Sequence, residues 1–369
     1  MGSMSSLSCS AIALVERRGR SRGVSGRGGA LPTQHSAWMS SAAECFASSR
    51  DLLMFDDNRS PDQDLIPRMV RAGKYLKRIS LLGAAETHEP CDLTWNDEAH
   101  LAQLAQELAN QRLAVSLPRV PIDSPSIDAL RRASAKRGIV IVRNATGTPY
   151  IDIDSTWADP QLKFNAGRRS DFRRAERHAE KLGGLTFEVH ESLADEELDR
   201  LLDEAYAVEA CSWKGEGGSA LTMHRKLGLF FRNFAHAANR AGILRLALMR
   251  VGTIAVGMQI AVEWRQSFWL LKIGYDAEFN RCSPGNLLML HTIGYAARRG
   301  LSSYEFLGSP APWTAHWTST LRPYANVRMY PFSILGQLAL LKDSVTFAKE
   351  QLKKWWLAKQ AGIRDNAVA

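Results

Sequence analysis

The chain has 369 residues, which is enough for two domains or one large one. Its hydrophobic content of 45% and charged content of 23% are typical of a soluble globular protein. The formal net charge is +9, but the first 30 residues hold five arginines against one acidic residue, and the remainder has 42 basic and 37 acidic residues. A mildly basic folded part suits an anionic small ligand or an acidic membrane surface better than a long nucleic-acid track.

The cysteines and histidines indicate no metal or disulfide framework. The five cysteines are scattered without a C-x-x-C pair, which predicts reduced thiols in a cytoplasm. The nine histidines form no H-x-x-x-H pattern, so we expect no metal. No apolar run reaches the length of a membrane span, and the charges near residues 5–15 stand in the wrong order for a signal peptide. We therefore expect a cytoplasmic protein with a disordered basic segment over 1–30.

The first half of the chain alternates helix and strand. A short helix is predicted over 36–48, whereas 49–97 shows no clear periodicity. Asp97 opens a helix with an apolar stripe, and strands follow at 114–117, 139–142 and 150–153, with a helix over 126–136 before the last two. This alternation predicts an α/β layer.

The second half predicts a β-meander between helices. Helices are expected over 168–182, 196–210 and 222–241, with a strand at 185–189. Three strands at 243–250, 254–263 and 266–273 form the meander, and short strands follow at 303–307 and 327–331. A final amphipathic helix is predicted over 335–356. The pattern predicts a mixed α/β fold with a mostly antiparallel sheet flanked by helices.

A helix N-terminus after the meander is a candidate anion site. Ser283 is the expected N-cap, Pro284 the first helical residue, and Arg299 the last. The first amides of a helix lack internal partners, so the amides of Ser283, Gly285 and Asn286 could bind a phosphate. A simple helix cap is an equally good explanation of these residues.

Four segments of the second half carry a family resemblance: KFNAGRRSDFRRAERHAEKLGGLTFEVH (163–190), GTIAVGMQIAVE (252–263), GYDAEFNRCSPGNLLMLHTIGYAARRG (274–300) and YEFLGSPAPWTAHW (304–317). They resemble the FemAB-like branch of the GNAT acyltransferases, in particular a CelD-type group linked to exopolysaccharide and cellulose biosynthesis. The resemblance implies tandem GNAT-like domains: a degenerate one over 31–150, an acyltransferase domain over 151–334, and a helical tail over 335–369.

The same resemblance implies transfer of an acyl group from acetyl-CoA or another acyl-CoA to an amine. The acceptor would be an amino sugar or a lipid-linked precursor of the bacterial envelope. Two alternatives stay open: an aminoacyl-tRNA-dependent peptidyltransferase, and an inactive binding protein. The loop at 281–286 has one glycine where a GNAT pyrophosphate loop has more, which favours an alternative donor or none.

Candidate site residues follow from these segments. We assign the donor to Lys272 and Ile273 on the third meander strand and to the loop residues Arg281, Ser283, Gly285 and Asn286. Tyr275 is the candidate proton donor to a leaving thiolate. Asp276 is a candidate for orienting the amine, unless it only forms a turn. Glu305, on a short central strand, is the candidate general base. The alternative for Glu305 is an ion pair with Arg281 or Arg299.

Further residues are candidates for contacts with the acceptor or a membrane. Arg169, Arg173 and Arg177 recur every four residues and would contact an anionic substrate, although a solvated helix face gives the same pattern. Trp213 and Lys214 would line the acceptor pocket, or Trp213 would fill the core. The lysines and tryptophans at 353–356 would touch a bilayer interface, or pack on the protein itself.

Overall fold

The computed structural model describes residues 31–47, 67–71, 76–212 and 221–367. The basic segment 1–30, Trp213 and Lys214 lie outside these ranges, as does the side chain of Lys354. The four cysteines within the ranges, Cys45, Cys91, Cys211 and Cys282, are free. In this part of the chain, no helix is both long and apolar enough to cross a membrane. The same residues contain no group of three or more His, Cys, Asp or Glu that could hold a metal ion.

Among the described residues, ten strands form one mixed sheet in the order β1-β2-β3-β10-β4-β9-β8-β7-β6-β5. Of the strand pairs in this part of the chain, β2–β3 and β8–β9 are parallel and the others antiparallel. The predicted mixed fold with a mostly antiparallel sheet is therefore confirmed. The strands are β1 (Pro67–Arg71), β2 (Lys77–Leu81), β3 (Ala114–Pro121), β4 (Gly138–Asp152), β5 (Leu185–His190), β6 (Leu244–Val251), β7 (Ile254–Trp264), β8 (Ser267–Tyr275), β9 (Ser303–Glu305) and β10 (Leu321–Pro331).

Helices cover both faces of this sheet. Among the described residues they are α1 (Ser36–Phe46), α2 (Ala84–Thr87), α3 (Glu98–Asn110), α4 (Pro125–Ala133), α5 (Ala166–Gly183), α6 (Asp195–Ala210), α7 (Arg225–Arg240), α8 (Pro284–Arg298) and α9 (Ile334–Ala367). Over β5–β9, α1, α6 and α7 share one core and α5 and α8 the other. Over β2–β4 and β10, α3 and α4 cover one face and α9 the opposite face.

Strand β4 joins the two halves of the sheet. The sequence predicted two strands here, and that prediction is wrong: one strand runs from Gly138 to Asp152. Strand β4 can pass close to β10 at Gly147 because glycine has no side chain. A Cβ at this position would lie 2.7 Å from the carbonyl oxygen of Arg322 on β10. Residues 138–149 pair with β10, and 150–152 pair with β9. The proposed domain boundary near residue 150 stays a prediction.

Strand β10 returns to the first half of the sheet, where it pairs with both β3 and β4. Two further strands, β1 and β2, lie in the 49–97 region that the sequence left unassigned. The three-stranded meander is confirmed as β6, β7 and β8. Strand β9 lies between β4 and β8, so the expected central position of Glu305 is confirmed.

Candidate active site

Strands β8 and β9 pair over only three residues. Their pairing runs from Ser267↔Ser303 to Trp269↔Glu305, whereas β8 continues to Tyr275. After Glu305 the chain keeps to β4, because the Phe306 amide donates to the Pro149 carbonyl at 3.0 Å. One edge of β8 therefore loses its neighbour beyond Trp269. We call the space beside residues 270–275 the strand opening.

A β-bulge lies at the start of the strand opening. Ile260 pairs with Lys272 and Ala261 pairs with Leu270, so Leu271 has no opposite residue on β7. A bulge disrupts the hydrogen-bond ladder locally and turns a backbone group away from its regular partner. The unpaired edge and the bulge together give β8 polar backbone groups facing a space that an extended ligand could occupy.

The N-terminus of α8 lies beside the far end of β8. A side-chain carbon at Gly285 would be 3.4 Å from the ring of Tyr275, and one at Gly257 on β7 would be 3.4 Å from Pro284. These two glycines let the helix start approach the sheet closely. Two predicted site residues, Tyr275 and Gly285, are thus in contact.

Ser283 is the N-cap residue of α8, as predicted, but it does not cap the helix with its side chain. Ser283 occupies the N-cap position, but its backbone is left-handed with φ 45°, and its side chain makes no capping hydrogen bond. Its carbonyl instead accepts from the amides of Asn286 and Leu287, both at 3.0 Å, while its own amide donates to Asn280. Pro284 has no N–H. Of the amides at residues 283–287, that of Gly285 alone has no acceptor within the part of the chain that the structure describes.

Asp276 caps a tight turn. Its carboxylate accepts from the amide of Glu278 at 2.9 Å, and this bond starts the 3-10 turn Ala277–Cys282 that leads to α8. Its amide donates to the Val256 carbonyl at 2.9 Å. The turn explanation of Asp276 therefore describes its contacts, and orientation of an amine stays a hypothesis.

Glu305 lies at the closed end of the strand opening and is 1% exposed. Its Oε1 accepts from Arg322 Nε at 3.0 Å, from Arg322 Nη2 at 2.8 Å and from Ser303 Oγ at 2.8 Å. Burial lowers the pKa of Arg322, but its hydrogen bonds and attraction to Glu305 raise it by more. Within the described part of the chain, the buried Oε2 has no partner.

The ion pair that we expected as an alternative exists, but with a different arginine. Arg299 lies near Glu191 and Glu263, at 3.6 and 3.5 Å, and Arg281 is exposed. Arg322 pairs with Glu305 instead of Arg281 or Arg299. It can do so because β10, which carries Arg322, and β9, which carries Glu305, both pair with β4. Its guanidinium also lies 3.6 Å from the centroid of the Tyr150 ring. Tyr150 is the register partner of Glu305.

The sequence missed a buried carboxylate, Glu89, which lies near Lys272. Glu89 is 7% exposed, and among the described residues its Oε2 has no hydrogen-bond partner. Burial raises the pKa of Glu89, and the charges of Lys272 and Arg119 oppose that rise. Lys272, assigned to the donor from sequence, has its ammonium 4.5 Å from the centroid of the Phe231 ring. Ile273 packs on the core that contains α8.

Glu89 lines a cavity of about 510 Å³, a size typical of small-molecule sites. The cavity lies on the first half of the sheet and reaches the loop after β9. Arg119 joins these parts: it donates to the carbonyl of His88 at 2.7 Å and to that of Gly308 at 2.5 Å. The cavity is lined by Arg78, Ser80, Ala84, Ala85, His88, Glu89, Ser116, Pro118, Arg119, Ala145, Thr146, Ser309 and Asn326.

The arginine stripe on α5 is present. Arg173 and Arg177 are exposed and Arg169 is partly exposed. The structure records no ion pair for the three among the residues it describes, although it records one for Arg174 with Asp171. Helix α5 packs along the Ala277–Cys282 turn, so the stripe is carried by an element close to the start of α8. Contact of the stripe with an anionic substrate stays a prediction.

A family model described as an acetyltransferase (GNAT) domain matches residues 166–314. The solved structure of FemX is similar with a TM-score of 0.52 and 14% identity, over 92% of this chain and 99% of that one. A conserved protein of unknown function from Bacteroides thetaiotaomicron has a TM-score of 0.50 and 11% identity, over 82% and 93% of the two chains. No curated protein matches the chain.

At these identities, the structural likenesses show the fold alone. The strand opening, the bulge and the start of α8 all fall within the matched segment, whereas the residues that line the Glu89 cavity lie outside it, apart from Ser309. The CelD-type part of the resemblance stays a prediction. Residues 166–314 match a GNAT acetyltransferase domain, which indicates an acyltransferase, within a chain whose fold is similar to that of FemX.

Proposed function

We propose that the protein is an N-acyltransferase that moves an acyl group, with acetyl-CoA as donor, to an amine of an amino sugar or an envelope or exopolysaccharide precursor. The observation that carries this proposal is the strand opening, with its bulge at Leu271 and the start of α8 at its far end. The amine acceptor and its pathway rest on the sequence resemblance.

The donor would lie along the free edge of β8. Its pantetheine arm contains amide groups, which can hydrogen-bond to an unpaired strand edge as an added strand does. A backbone amide freed by the bulge would polarise the thioester carbonyl where negative charge develops. The pyrophosphate would meet the Gly285 amide and the positive end of the α8 dipole, with Arg281 exposed nearby in the sequence.

The acceptor would enter through the cavity lined by Glu89. A protonated amine is not a nucleophile, so a base must take its proton. A buried carboxylate with a raised pKa is a better base than an exposed one, and among the described residues Glu89 Oε2 has no hydrogen-bond partner with which an amine would compete. Glu305 also has an Oε2 without a partner among the described residues, but it is the weaker candidate because three hydrogen bonds from Arg322 and Ser303 to its Oε1 fix the side chain against the sheet.

The reaction would proceed by attack of the neutral amine on the thioester carbonyl. A C–N bond forms, the C–S bond breaks, and the coenzyme leaves as a thiolate. Glu89 receives the proton from the nitrogen. The thiolate takes a proton from the Tyr275 hydroxyl, which is then reprotonated by solvent. Catalysis in this scheme is mostly positioning and carbonyl polarisation.

Transfer assays with acetyl-CoA and a panel of amino sugars would test the two carboxylates. We expect Glu89→Gln to lower kcat by about 100-fold or more, in line with the loss of general base catalysis. Glu98→Gln, at the exposed start of α3, is the matched control and should leave kcat unchanged. Near-normal turnover of Glu89→Gln with a large loss in Glu305→Gln would return the base role to Glu305.

An aminoacyl-tRNA donor is the second candidate, and the α8 N-terminus favours it. Only the Gly285 amide is free there among the described residues, so this helix start offers few donors to a pyrophosphate. An acyl donor that the protein binds mainly through groups other than a pyrophosphate would not need free amides at this helix start. Binding of charged tRNA but of no acyl-CoA would support this candidate over acetyl transfer.

A further inference from the structure

The outward side of α9 is apolar. Six exposed side chains recur there at intervals of three, four or seven residues, which places them on one side of a helix. Their exposed fractions include 81% for Ile334, 62% for Leu341 and 64% for Leu352. We call these six residues the outer stripe: Ile334, Leu338, Leu341, Val345, Leu352 and Trp355.

In the first half of α9, as far as Phe347, the opposite side of the helix is bound to the sheet. Ala339 is buried, and Asp343 forms ion pairs with Arg78 at 2.5 Å and with Arg328 at 2.9 Å. Arg143 of β4 lies 3.9 Å from the ring centroid of Phe347. A helix on a protein surface normally directs its polar side to water. Here the polar contacts lie inward and the outer stripe faces outward, so a partner must be apolar at this surface.

The charges beside the outer stripe select between partners. At 100° per residue, Lys342, Lys349 and Lys353 lie along one border of the stripe. The other border carries Gln337, Ser344 and Gln351, so neither border has an acidic residue. A second copy packed stripe to stripe would have no carboxylates to match these lysines. An anionic lipid surface offers both an apolar layer and negative charge.

We propose that α9 docks the protein on an anionic bilayer surface, with the outer stripe inserted among the lipid headgroups and the lysine border against their phosphates. The stripe extends about 32 Å from Ile334 to Trp355 at 1.5 Å per residue, and the first half of the helix is held against the sheet as far as Phe347. Trp355 stands at its end, in keeping with the preference of tryptophan for the membrane interface. This docking is independent of the proposed acyl transfer.

Sedimentation of the full chain with vesicles tests the proposal. One set of vesicles is pure phosphatidylcholine and the other contains about one-third phosphatidylglycerol, with the apparent affinity measured at low and high salt. We expect binding to the anionic vesicles that is at least tenfold tighter than to the neutral ones, and that weakens as salt rises.

Matched variants separate the stripe from other exposed leucines. Leu341→Glu and Leu352→Glu should each reduce binding to anionic vesicles at least tenfold. The control Leu162→Glu should have no effect, because Leu162 is 64% exposed but lies far along the chain from α9. A variant that combines Lys342→Glu, Lys349→Glu and Lys353→Glu should lose the preference for anionic lipid, with Lys181→Glu on α5 as its control. Unchanged melting temperatures would show that each variant is folded.

Three results would overturn the proposal. One is no binding to either vesicle. Another is equal binding by Leu341→Glu and the parent protein. The last combines two observations: the parent protein binds no vesicles, and it forms a dimer in solution, detected by light scattering, that Leu341→Glu dissociates. The outer stripe would then be a contact between two copies.

Discussion

The ion pair between Arg322 and Glu305 fixes the closed end of the strand opening, and its removal has a calculable cost. Glu305 is buried, with its side chain 1% exposed, while that of Arg322 is 37% exposed. Breaking a buried pair by removing one partner costs about 3–5 kcal/mol, because the other charge is left buried. Solvent reaches Arg322, so we expect Arg322→Met to lower the free energy of unfolding by roughly 2–3 kcal/mol.

A double-mutant cycle isolates this cost. Glu305→Gln removes the charge that Arg322→Met leaves unpaired, so the double variant should recover most of the loss. The coupling between the two positions should be about 1.5 kcal/mol or more. Urea unfolding at pH 7 gives the four free energies of the cycle. Arg173→Met, an exposed arginine on α5, is the control and should change stability by less than about 0.5 kcal/mol.

Two outcomes would refute this reasoning. If Arg322→Met costs less than about 1 kcal/mol, Glu305 is not held by the pair as its geometry indicates. If the costs of the two substitutions simply add, the two side chains do not interact in solution. Either result would also remove the argument that Arg322 occupies Glu305 Oε1, and so would restore Glu305 as an equal candidate for the base.

Three further predictions concern single positions. Because burial raises the pKa of Glu89, Glu89→Gln should increase the free energy of unfolding at pH 7 while transfer activity is lost; a destabilised variant would contradict this. Gly285→Val would press on the Tyr275 ring at 3.4 Å and should raise KM for the acyl donor several-fold, whereas Gly167→Val, near the start of α5, should not; equal donor KM for both would argue against the α8 site. Burial raises the pKa of Asp92 from 3.8 to about 6. The protonated side chain is therefore favoured in the folded state, and the free energy of unfolding should fall by about 3 kcal/mol as the pH rises from below 3.8 to above 6. Urea unfolding of Asp92→Asn should lack that fall, and an unchanged pH profile would assign it to another group.

Local patterns in the sequence were sufficient for much of the second half of the fold. The alternation in 243–275 predicted the meander. Gly300 follows the end of α8 with φ 73°, because glycine readily takes the left-handed backbone that ends a helix. The central position of Glu305 was expected from a short strand in which Tyr304 and Phe306 flank it. These features depend on residues that are near each other in the chain.

Features that depend on distant residues could not be predicted. Strand β4 continues through Gly147 because β10 lies against it, and that contact joins positions more than 170 residues apart. The same return of β10 brings Arg322 to Glu305 in place of Arg281 or Arg299. The Glu89 cavity combines residues from 78 to 326, so no local motif marks it. The sequence identified Ser283 as the N-cap residue, but could not show that its backbone is left-handed and that its side chain makes no capping hydrogen bond.

The central claim is that the strand opening and the start of α8 hold an acyl-CoA, and ligand binding tests it most directly. Unfolding of the full chain would be followed with acetyl-CoA, longer acyl-CoAs and charged tRNA, each for the parent protein and for Gly285→Val. We predict that an acyl-CoA at a hundredfold its Kd adds about 2.7 kcal/mol to the free energy of unfolding, and that Gly285→Val weakens this effect. Stabilisation by charged tRNA alone, or by none of these donors, would contradict the claim.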